Sequence, residues 1–171
     1  SLITTEDKVA LIHIGDSRCY QFRGGKLTQL SKDHTLVQEL IDQGRLSAEE
    51  ATSHPQKSLI TKALMGNTET EPFIQLINVE PDDLFLLCTD GLYDFVEESD
   101  LFAALSANQS AEELSAELCQ IAISKGSDDN VSALIVDIIN LPSESLDDYS
   151  ERLTKLPFLP ALVPGMKVDG Y

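Results

Sequence analysis

The sequence DLFLLCTDGLYDFV, residues 83–96, indicates how the rest of the chain must be layered. Its run LFLLC, at 84–88, is apolar at every position, which predicts a strand buried on both faces. Such a strand needs other structure packed on each side of its sheet. Asp90 and Gly91 follow at once, so a carboxylate stands where the buried strand ends.

Strand patterns lie mainly before this stretch, and helical patterns lie mainly after it. Alternating or β-branched runs predict strands at residues 2–4, 9–14, 18–23, 26–30 and 72–79. Caps and apolar stripes predict helices at 35–41, from Ser47 onward, at 98–107 and at 110–125, before a last strand at 131–139. Because tight turns join successive strands, we expect an α+β fold with antiparallel sheets and outer helices, rather than a βαβ array.

The composition favours one soluble domain with a strongly acidic surface. The 171 residues are 42% hydrophobic, which is enough for a packed core. Lys and Arg number 12 against 29 Asp and Glu, giving a net charge of −17. This charge repels phosphate backbones and anionic lipids, so we expect neither a nucleic-acid nor a membrane partner. It is compatible with divalent cations.

The three cysteines, Cys19, Cys88 and Cys119, are odd in number and widely spaced. This pattern favours a reducing compartment over a disulfide framework. No apolar run approaches the roughly 18 residues of a membrane span, and no signal peptide opens the sequence. We therefore expect a cytoplasmic protein.

Acidic residues recur at the ends of the predicted apolar strands. Asp16 and Asp90 each follow such a strand, and Asp128 and Asp129 directly precede the last one. Burying these like charges together is costly unless cations are bound, and carboxylate oxygens suit Mg²⁺ or Mn²⁺. Taken singly, each Asp is explained as well by a turn or a helix cap. The histidines are scattered, and we expect His13 to be a hydrogen-bonded core residue.

Five blocks together resemble the metal-dependent, type 2C family of Ser/Thr protein phosphatases, particularly its bacterial branch. Their order and spacing match the family, and they cover most of the chain up to about residue 140. The blocks are HIGDSRCY (13–20), LSKDHTLVQELIDQG (30–44), LSAEEATSHPQKSLITKAL (46–64), DLFLLCTDGLYDFV (83–96) and SDDNVSALIV (127–136).

The resemblance implies an α-β-β-α sandwich of two antiparallel sheets flanked by helices. It also implies two Mn²⁺ or Mg²⁺ ions, or three, and a bridging water that attacks a phosphoserine or phosphothreonine of a protein substrate. Residue by residue, Asp90 and Asp129 match ligands of one metal, and Asp16 matches a third-metal ligand. Arg18 matches a structural position that pairs with a carboxylate, and residues 36–58 match a flap beside the active site.

The chain departs from the family pattern in several places. The Asp-Gly block that bridges both metals and an arginine that holds the phosphate both lie upstream in the family, and neither is present here. We therefore expect an incomplete sandwich that lacks its N-terminal part, has uncovered sheet edges and is inactive by itself. A catalytically inactive, phosphatase-like binding module is the alternative. In the flap, Lys57-Ser58 stands where Arg-Asn is usual, and Met65 is inserted before Gly66.

Residues 141–171 have a different character from residues 1–140. Four of the seven prolines fall in this last stretch, and its apolar residues follow no helix or strand period. We expect a linker or a docking tail, with a disordered C-terminus as the alternative. The ending resembles the join to a Ser/Thr kinase domain in bacterial fusion proteins, so a covalently linked kinase is an expected partner.

Overall fold

A computed structural model describes residues 1–4, 7–63, 70–107 and 109–141 of the chain. Met65 and the predicted tail after Leu141 lie outside the described residues. The helices are α1 (Leu36–Asp42), α2 (Ala48–Thr52), α3 (Asp90–Tyr93), α4 (Glu98–Leu105) and α5 (Ala111–Ser124). The strands are β1 (Leu2–Thr4), β2 (Lys8–His13), β3 (Arg18–Arg23), β4 (Lys26–Gln29), β5 (Phe73–Asn78), β6 (Leu84–Cys88) and β7 (Ala133–Asp137).

The strands form two antiparallel sheets. One has three strands in the order β1-β2-β5, and the other has four in the order β4-β3-β6-β7. Helices α3, α4 and α5 flank the four-stranded sheet, so the predicted α+β arrangement of antiparallel sheets and flanking helices is confirmed. None of the helices in the described part of the chain is long and apolar enough to cross a membrane.

The central strand β6 is less uniformly buried than its composition predicts. Phe85, Leu86 and Cys88 are buried, whereas Leu84 and Leu87 are only half buried. The side chains on the two faces of β6 belong to different hydrophobic clusters, because successive side chains of a strand point to opposite sides of its sheet. Phe85 joins a cluster that includes residues of both sheets, and Leu86 joins a cluster with the helices.

These two clusters form the core. The cluster shared by the sheets contains Val9, Leu11, Ile77 and Phe85. The cluster between the four-stranded sheet and helices α3, α4 and α5 includes Leu86, Leu92, Leu101, Leu114 and Leu118. Helix α5 contributes most of its apolar stripe to this second cluster, as its 3.6-residue period predicts.

Helix α3 is not among the predicted helices. Asp90-Gly91 has the composition of a turn, and Gly is a poor helix former. In the structure Thr89 precedes one helical turn, Asp90–Tyr93, that starts right after β6. The predicted strand 131–139 is also shorter, since only Ala133–Asp137 pairs with β6.

Three strand ends meet at one edge of the four-stranded sheet. In the register, Arg18 at the start of β3 pairs with Cys88 at the end of β6, and Cys88 pairs with Ala133 at the start of β7. Residues 14–17, which carry Asp16, cross from the three-stranded sheet to this edge. The topology therefore brings the predicted acidic segments to the same end of the molecule.

Candidate metal centre

A cavity of about 470 Å³ opens at this end. Asp16, from the crossover between the sheets, and Asp90, from the first turn of α3, both line it. Gly15 precedes Asp16 with a φ of 105°, a left-handed conformation that favours glycine, so the crossover turns sharply there. The structure thus brings two of the three predicted metal ligands to one cavity.

The third, Asp129, lies nearby but does not line the cavity. Its side chain is exposed, and its Oδ1 accepts a hydrogen bond from the backbone N–H of Asn130 at 2.7 Å. Its backbone is nevertheless packed against α3, because a Cβ on Gly91 would lie 2.7 Å from the carbonyl oxygen of Asn130. Only glycine at position 91 permits this close approach.

Hydrogen bonds fasten the segment 127–132 to the start of α3. Thr89 Oγ1 donates to the carbonyl of Asn130 at 2.7 Å and accepts from the N–H of Ser132 at 3.0 Å. Ser127 Oγ donates to the carbonyl of Gly91 at 2.7 Å. The backbone that carries Asp129 is therefore held beside the backbone that carries Asp90.

Arg18 pairs with a carboxylate, as the sequence predicts. Its Nε and Nη2 donate to Asp33 Oδ2 at 3.0 and 2.8 Å, in the forked geometry that guanidinium groups form with carboxylates. Its guanidinium carbon also lies 3.8 Å from the centre of the Tyr93 ring. These contacts occupy Arg18 structurally, so the predicted pairing is confirmed.

Sequence reasoning missed Asp33 and Tyr93, which both line the cavity. Asp33 lies in the polar stretch before α1, and no local signal in the sequence marks it as the partner of Arg18. Tyr93 donates its hydroxyl to the carbonyl oxygen of Asp16 at 3.2 Å. Tyr93 could be placed beside Asp90 in the cavity only if residues 90–93 had been predicted as a helix, and the sequence pattern predicts a turn there.

The cavity has a negative electrostatic character that its basic residues only partly offset. Burial raises the pKa of Asp16 above its ordinary value, and the charges of Asp90 and Asp33 raise it further, although a backbone hydrogen bond and Arg18 act in the opposite direction. Burial alone would lower the pKa of Arg18, but its hydrogen bonds to Asp33 raise it overall. Burial also raises the pKa of Tyr93.

The segment 36–58 forms another wall of the cavity, which agrees with its prediction as a flap beside the site. It contains α1, capped by Thr35, and α2, whose Ser47 and Glu50 form the predicted capping box. Lys57, at the rim, forms an ion pair with Asp94 at 2.8 Å.

The donors at this cavity suit a hard divalent cation but do not enclose one. Asp16 and Asp90 offer carboxylate oxygens, which Mg²⁺ and Mn²⁺ prefer. Among the residues that the structure describes, no group of three or more His, Cys, Asp or Glu side chains is placed to hold a metal ion. The residues present therefore fit part of a ligand set.

The chain combines two antiparallel sheets, flanking helices and an acidic cavity, and comparison with known families identifies the family that has this combination. The Protein phosphatase 2C family matches residues 1–126. The chain belongs to this family.

Named relatives are bacterial phosphatases. The chain is 41% identical over 140 residues to "Serine/threonine protein phosphatase PstP" of Mycobacterium tuberculosis, covering 82% of this chain and 27% of that protein. It is 34% identical over 137 residues to "Serine/threonine phosphatase stp" of Listeria welshimeri, covering 79% of this chain and 54% of that protein.

Solved structures agree with the fold. The crystal structure of the M. tuberculosis phosphatase PstP/Ppp has a TM-score of 0.77 and 42% identity, over 81% of this chain and 58% of that one. A crystal structure of the PstP catalytic domain in complex with two manganese ions has a TM-score of 0.72 and 38% identity, over 81% and 57% of the two chains. This chain spans little more than half the length of these solved chains.

Proposed function

We propose that this chain forms part of a phosphoprotein phosphatase that hydrolyses phosphoserine and phosphothreonine with divalent metal ions. One observation carries the proposal, namely that Asp16 and Asp90 share a cavity in a chain of the Protein phosphatase 2C family. A cavity of about 470 Å³ is large enough to admit a phosphorylated side chain. Its hard oxygen donors suit the metals that such hydrolysis uses.

The proposed metal ligands are Asp90, Asp129 and Asp16. The ions would be Mn²⁺ or Mg²⁺, two in number, with a third at Asp16. When bound, such ions supply Lewis-acid stabilisation and lower the pKa of a water molecule. Because Arg18 is paired with Asp33, we assign it a structural role at the edge of the site and not phosphate binding. Lys57 is then the cation at the rim that is placed to meet an incoming phosphate, if it separates from Asp94.

Calorimetric titration with Mn²⁺ tests the ligand assignment. We expect Asp90→Asn and Asp129→Asn each to weaken Mn²⁺ binding by about tenfold or more, because each replaces a charged ligand of the metal ion with a neutral one. Asp16→Asn should abolish only the weaker additional site. Asp137→Asn, at an exposed position of β7, is the matched control and should bind Mn²⁺ as the parent chain does.

Unchanged Mn²⁺ affinity in both Asp90→Asn and Asp129→Asn would contradict the assignment. Binding that depends on Asp16 and Asp90 but not on Asp129 would restrict the ligand set to the residues that line the cavity.

A catalytically inactive binding module is the second candidate. The observation that favours it is the absence, within the described ranges, of three clustered metal-ligating side chains. For the 171-residue chain alone we expect no hydrolysis of p-nitrophenyl phosphate in Mn²⁺, since its described carboxylates do not gather into a two-metal centre. Turnover by the monomeric chain would contradict this expectation.

The broader setting of the protein is also proposed. A cytoplasmic location, a role in signalling and a phosphoprotein partner accord with the acidic composition and the family. A covalently linked Ser/Thr kinase domain remains a prediction from the ending LPALVPGMKVDGY at 159–171. Sequencing the gene beyond Tyr171 tests it directly.

A further inference from the structure

His34 makes two reciprocal hydrogen bonds to the turn that carries Asp16. Its backbone N–H donates to the carbonyl oxygen of Gly15 at 2.8 Å, and its ring Nδ1 accepts from the N–H of Gly15 at 3.1 Å. Both backbone polar groups of Gly15, its N–H and its carbonyl, are therefore bonded to His34. Because Gly15 immediately precedes Asp16, these bonds fix the backbone from which the Asp16 carboxylate projects.

The second bond determines the protonation pattern of the ring. An imidazole nitrogen accepts a hydrogen bond only when it carries no proton, so Nδ1 of His34 is unprotonated in this arrangement. The ring also lies against His13, with the ring centroids 5.1 Å apart. His13 Nε2 in turn donates to the carbonyl of Lys32 at 3.0 Å, which holds the neighbouring backbone.

Two other residues of the segment 31–35 bond the start of β3, which follows the turn directly. Ser31 Oγ accepts from the N–H of Cys19 at 2.9 Å, and Asp33 binds Arg18 through the fork described above. Residues 31–35 thus bond both the Gly15 turn and the start of β3, and we call this set of contacts the clamp. Within this clamp, the side chain that bonds the backbone of Gly15 is that of His34. From helix α3, Tyr93 donates to the carbonyl of Asp16 itself.

We propose that His34 is a positioning residue for the metal site, holding the Gly15–Asp16 turn so that the Asp16 carboxylate faces the cavity. The inference rests on the proposed function, because it assigns a purpose to the position of Asp16. Residues that orient a metal ligand affect metal affinity by about 10- to 100-fold when removed. Here the effect acts through the backbone, so the lower end of that range is expected.

Three substitutions separate acceptor chemistry from simple space filling. In His34→Asn the amide Oδ1 occupies nearly the place of Nδ1 and accepts the Gly15 N–H, so this variant should keep the clamp. His34→Leu has no acceptor, and His34→Gln places its acceptor farther along the side chain, so both should lose it. His54→Leu is the matched control, because His54 Nδ1 accepts from the N–H of Gln56 at 3.2 Å outside the cavity lining.

Two measurements on the 171-residue chain are needed. The first is amide hydrogen exchange at Gly15 by NMR, which requires no metal. We expect exchange at least about tenfold faster in His34→Leu and His34→Gln, with a near-parental rate in His34→Asn and His54→Leu. The second is calorimetric Mn²⁺ titration of the weaker additional site that is assigned to Asp16. There His34→Leu and His34→Gln should bind about tenfold more weakly, and His34→Asn should recover most of the affinity.

The outcomes distinguish this inference from the proposed function. If Asp16→Asn weakens Mn²⁺ binding while His34→Leu binds as the parent chain does, the positioning role is wrong and the metal site stands. If the parent chain binds no Mn²⁺, the metal proposal fails, and parental Gly15 exchange in His34→Leu overturns the clamp as well. If His34→Leu does not fold, the contrast between His34→Asn and His34→Gln decides, and equal values in those two overturn the proposal.

Discussion

The two sheets of this protein differ in how their outer faces are covered. The four-stranded sheet packs against the other sheet on one side and against α3, α4 and α5 on the other. The three-stranded sheet contributes to a buried cluster on its inner side, and no such cluster of the described residues lies on its outer side. Its outer side exposes Ile3, Ile74 and Leu76, which are 52%, 61% and 67% exposed.

The exposed residues of the smaller sheet form one continuous surface. Ile3 pairs with Ala10 and Ala10 pairs with Leu76, while Ile12 pairs with Ile74 on the neighbouring rung. Side chains two apart on a strand share a face, so these residues lie together. A grouped apolar surface of this kind marks a site of association, whereas single exposed apolar residues are ordinary.

This difference assigns separate roles to the two sheets. The four-stranded sheet supplies most of the helix-packed core and the strand ends that carry Arg18 and Asp90. The smaller sheet supplies the crossover that carries Asp16. We therefore expect the stability of the chain to depend mainly on the larger sheet, and its tendency to associate to depend mainly on the smaller one.

The largest effect is expected from a pair of Leu→Ala substitutions that compare the outer layers of the two sheets. Leu118 of α5 is fully buried against the larger sheet, whereas Leu76 is 67% exposed on the smaller one. Leu118→Ala should lower the free energy of unfolding by about 2–5 kcal/mol, because it removes buried methyl groups and leaves a cavity. Leu76→Ala should change it by less than about 0.5 kcal/mol.

Urea unfolding followed by circular dichroism measures both variants. Equal losses in the two would show that the smaller sheet is covered in solution, and the contrast between the sheets would then be wrong.

A smaller effect is expected where the two sheets are joined at the end away from the cavity. Arg23 of β3 donates through Nε to Asp83 at 2.6 Å and through Nη2 to the carbonyl of Asn78 in β5 at 2.7 Å. Arg23→Met should cost about 1–3 kcal/mol, because the buried Asp83 carboxylate loses hydrogen bonds from its cation but keeps those from Gln21 and the N–H of Glu80. Lys26→Met, at the exposed start of β4, is the control and should have little effect. A loss no greater than that of the control would contradict the link.

The same ion pair predicts a pH dependence. Burial alone would raise the pKa of Asp83, but hydrogen bonds from Arg23, from the N–H of Glu80 and from Gln21 hold it below its ordinary value of 3.8. The folded state therefore releases this proton more readily than the unfolded state. The resulting stability is present above about pH 4 and is lost as the pH falls through the folded-state pKa.

Urea unfolding between about pH 3 and pH 7 checks this sign. The difference in stability between the parent chain and Arg23→Met should narrow as the pH falls below 4, since protonation removes the charge that Arg23 pairs with. A difference that stays constant over this range would show that the ion pair does not stabilise the fold.

Local patterns were sufficient to predict most of the elements. The alternation of apolar residues placed the strands to within one or two residues at most ends. The Ser110 and Glu113 pair marked the start of α5, where each bonds the other's backbone as a capping box. These signals are short-range, so they are readable without knowing the tertiary structure.

Long-range contacts explain what the sequence left open. Helix α3 is held by the backbone of residues 129–130 against Gly91, a contact that joins segments far apart in the chain. The choice of Asp33 as the partner of Arg18 likewise depends on how residues 31–35 fold back on the crossover. For the same reason, recurrence at strand ends suggested a common site for Asp16, Asp90 and Asp129, but the structure brings only Asp16 and Asp90 to the cavity lining.

The smallest effect on stability, with a distinct effect on association, is expected from Leu76→Lys. The substitution places a charge in the centre of the exposed surface formed by Ile3, Ile74 and Leu76, where the lysine head reaches solvent and breaks no buried contact. The free energy of unfolding should change by less than about 0.5 kcal/mol, while light scattering should report less self-association as the concentration is raised. Ile123→Lys, at a 53% exposed position of α5 on the side of the larger sheet, is the matched control and should leave the association as it is. Association that persists equally in both variants would place the contact surface elsewhere on the molecule.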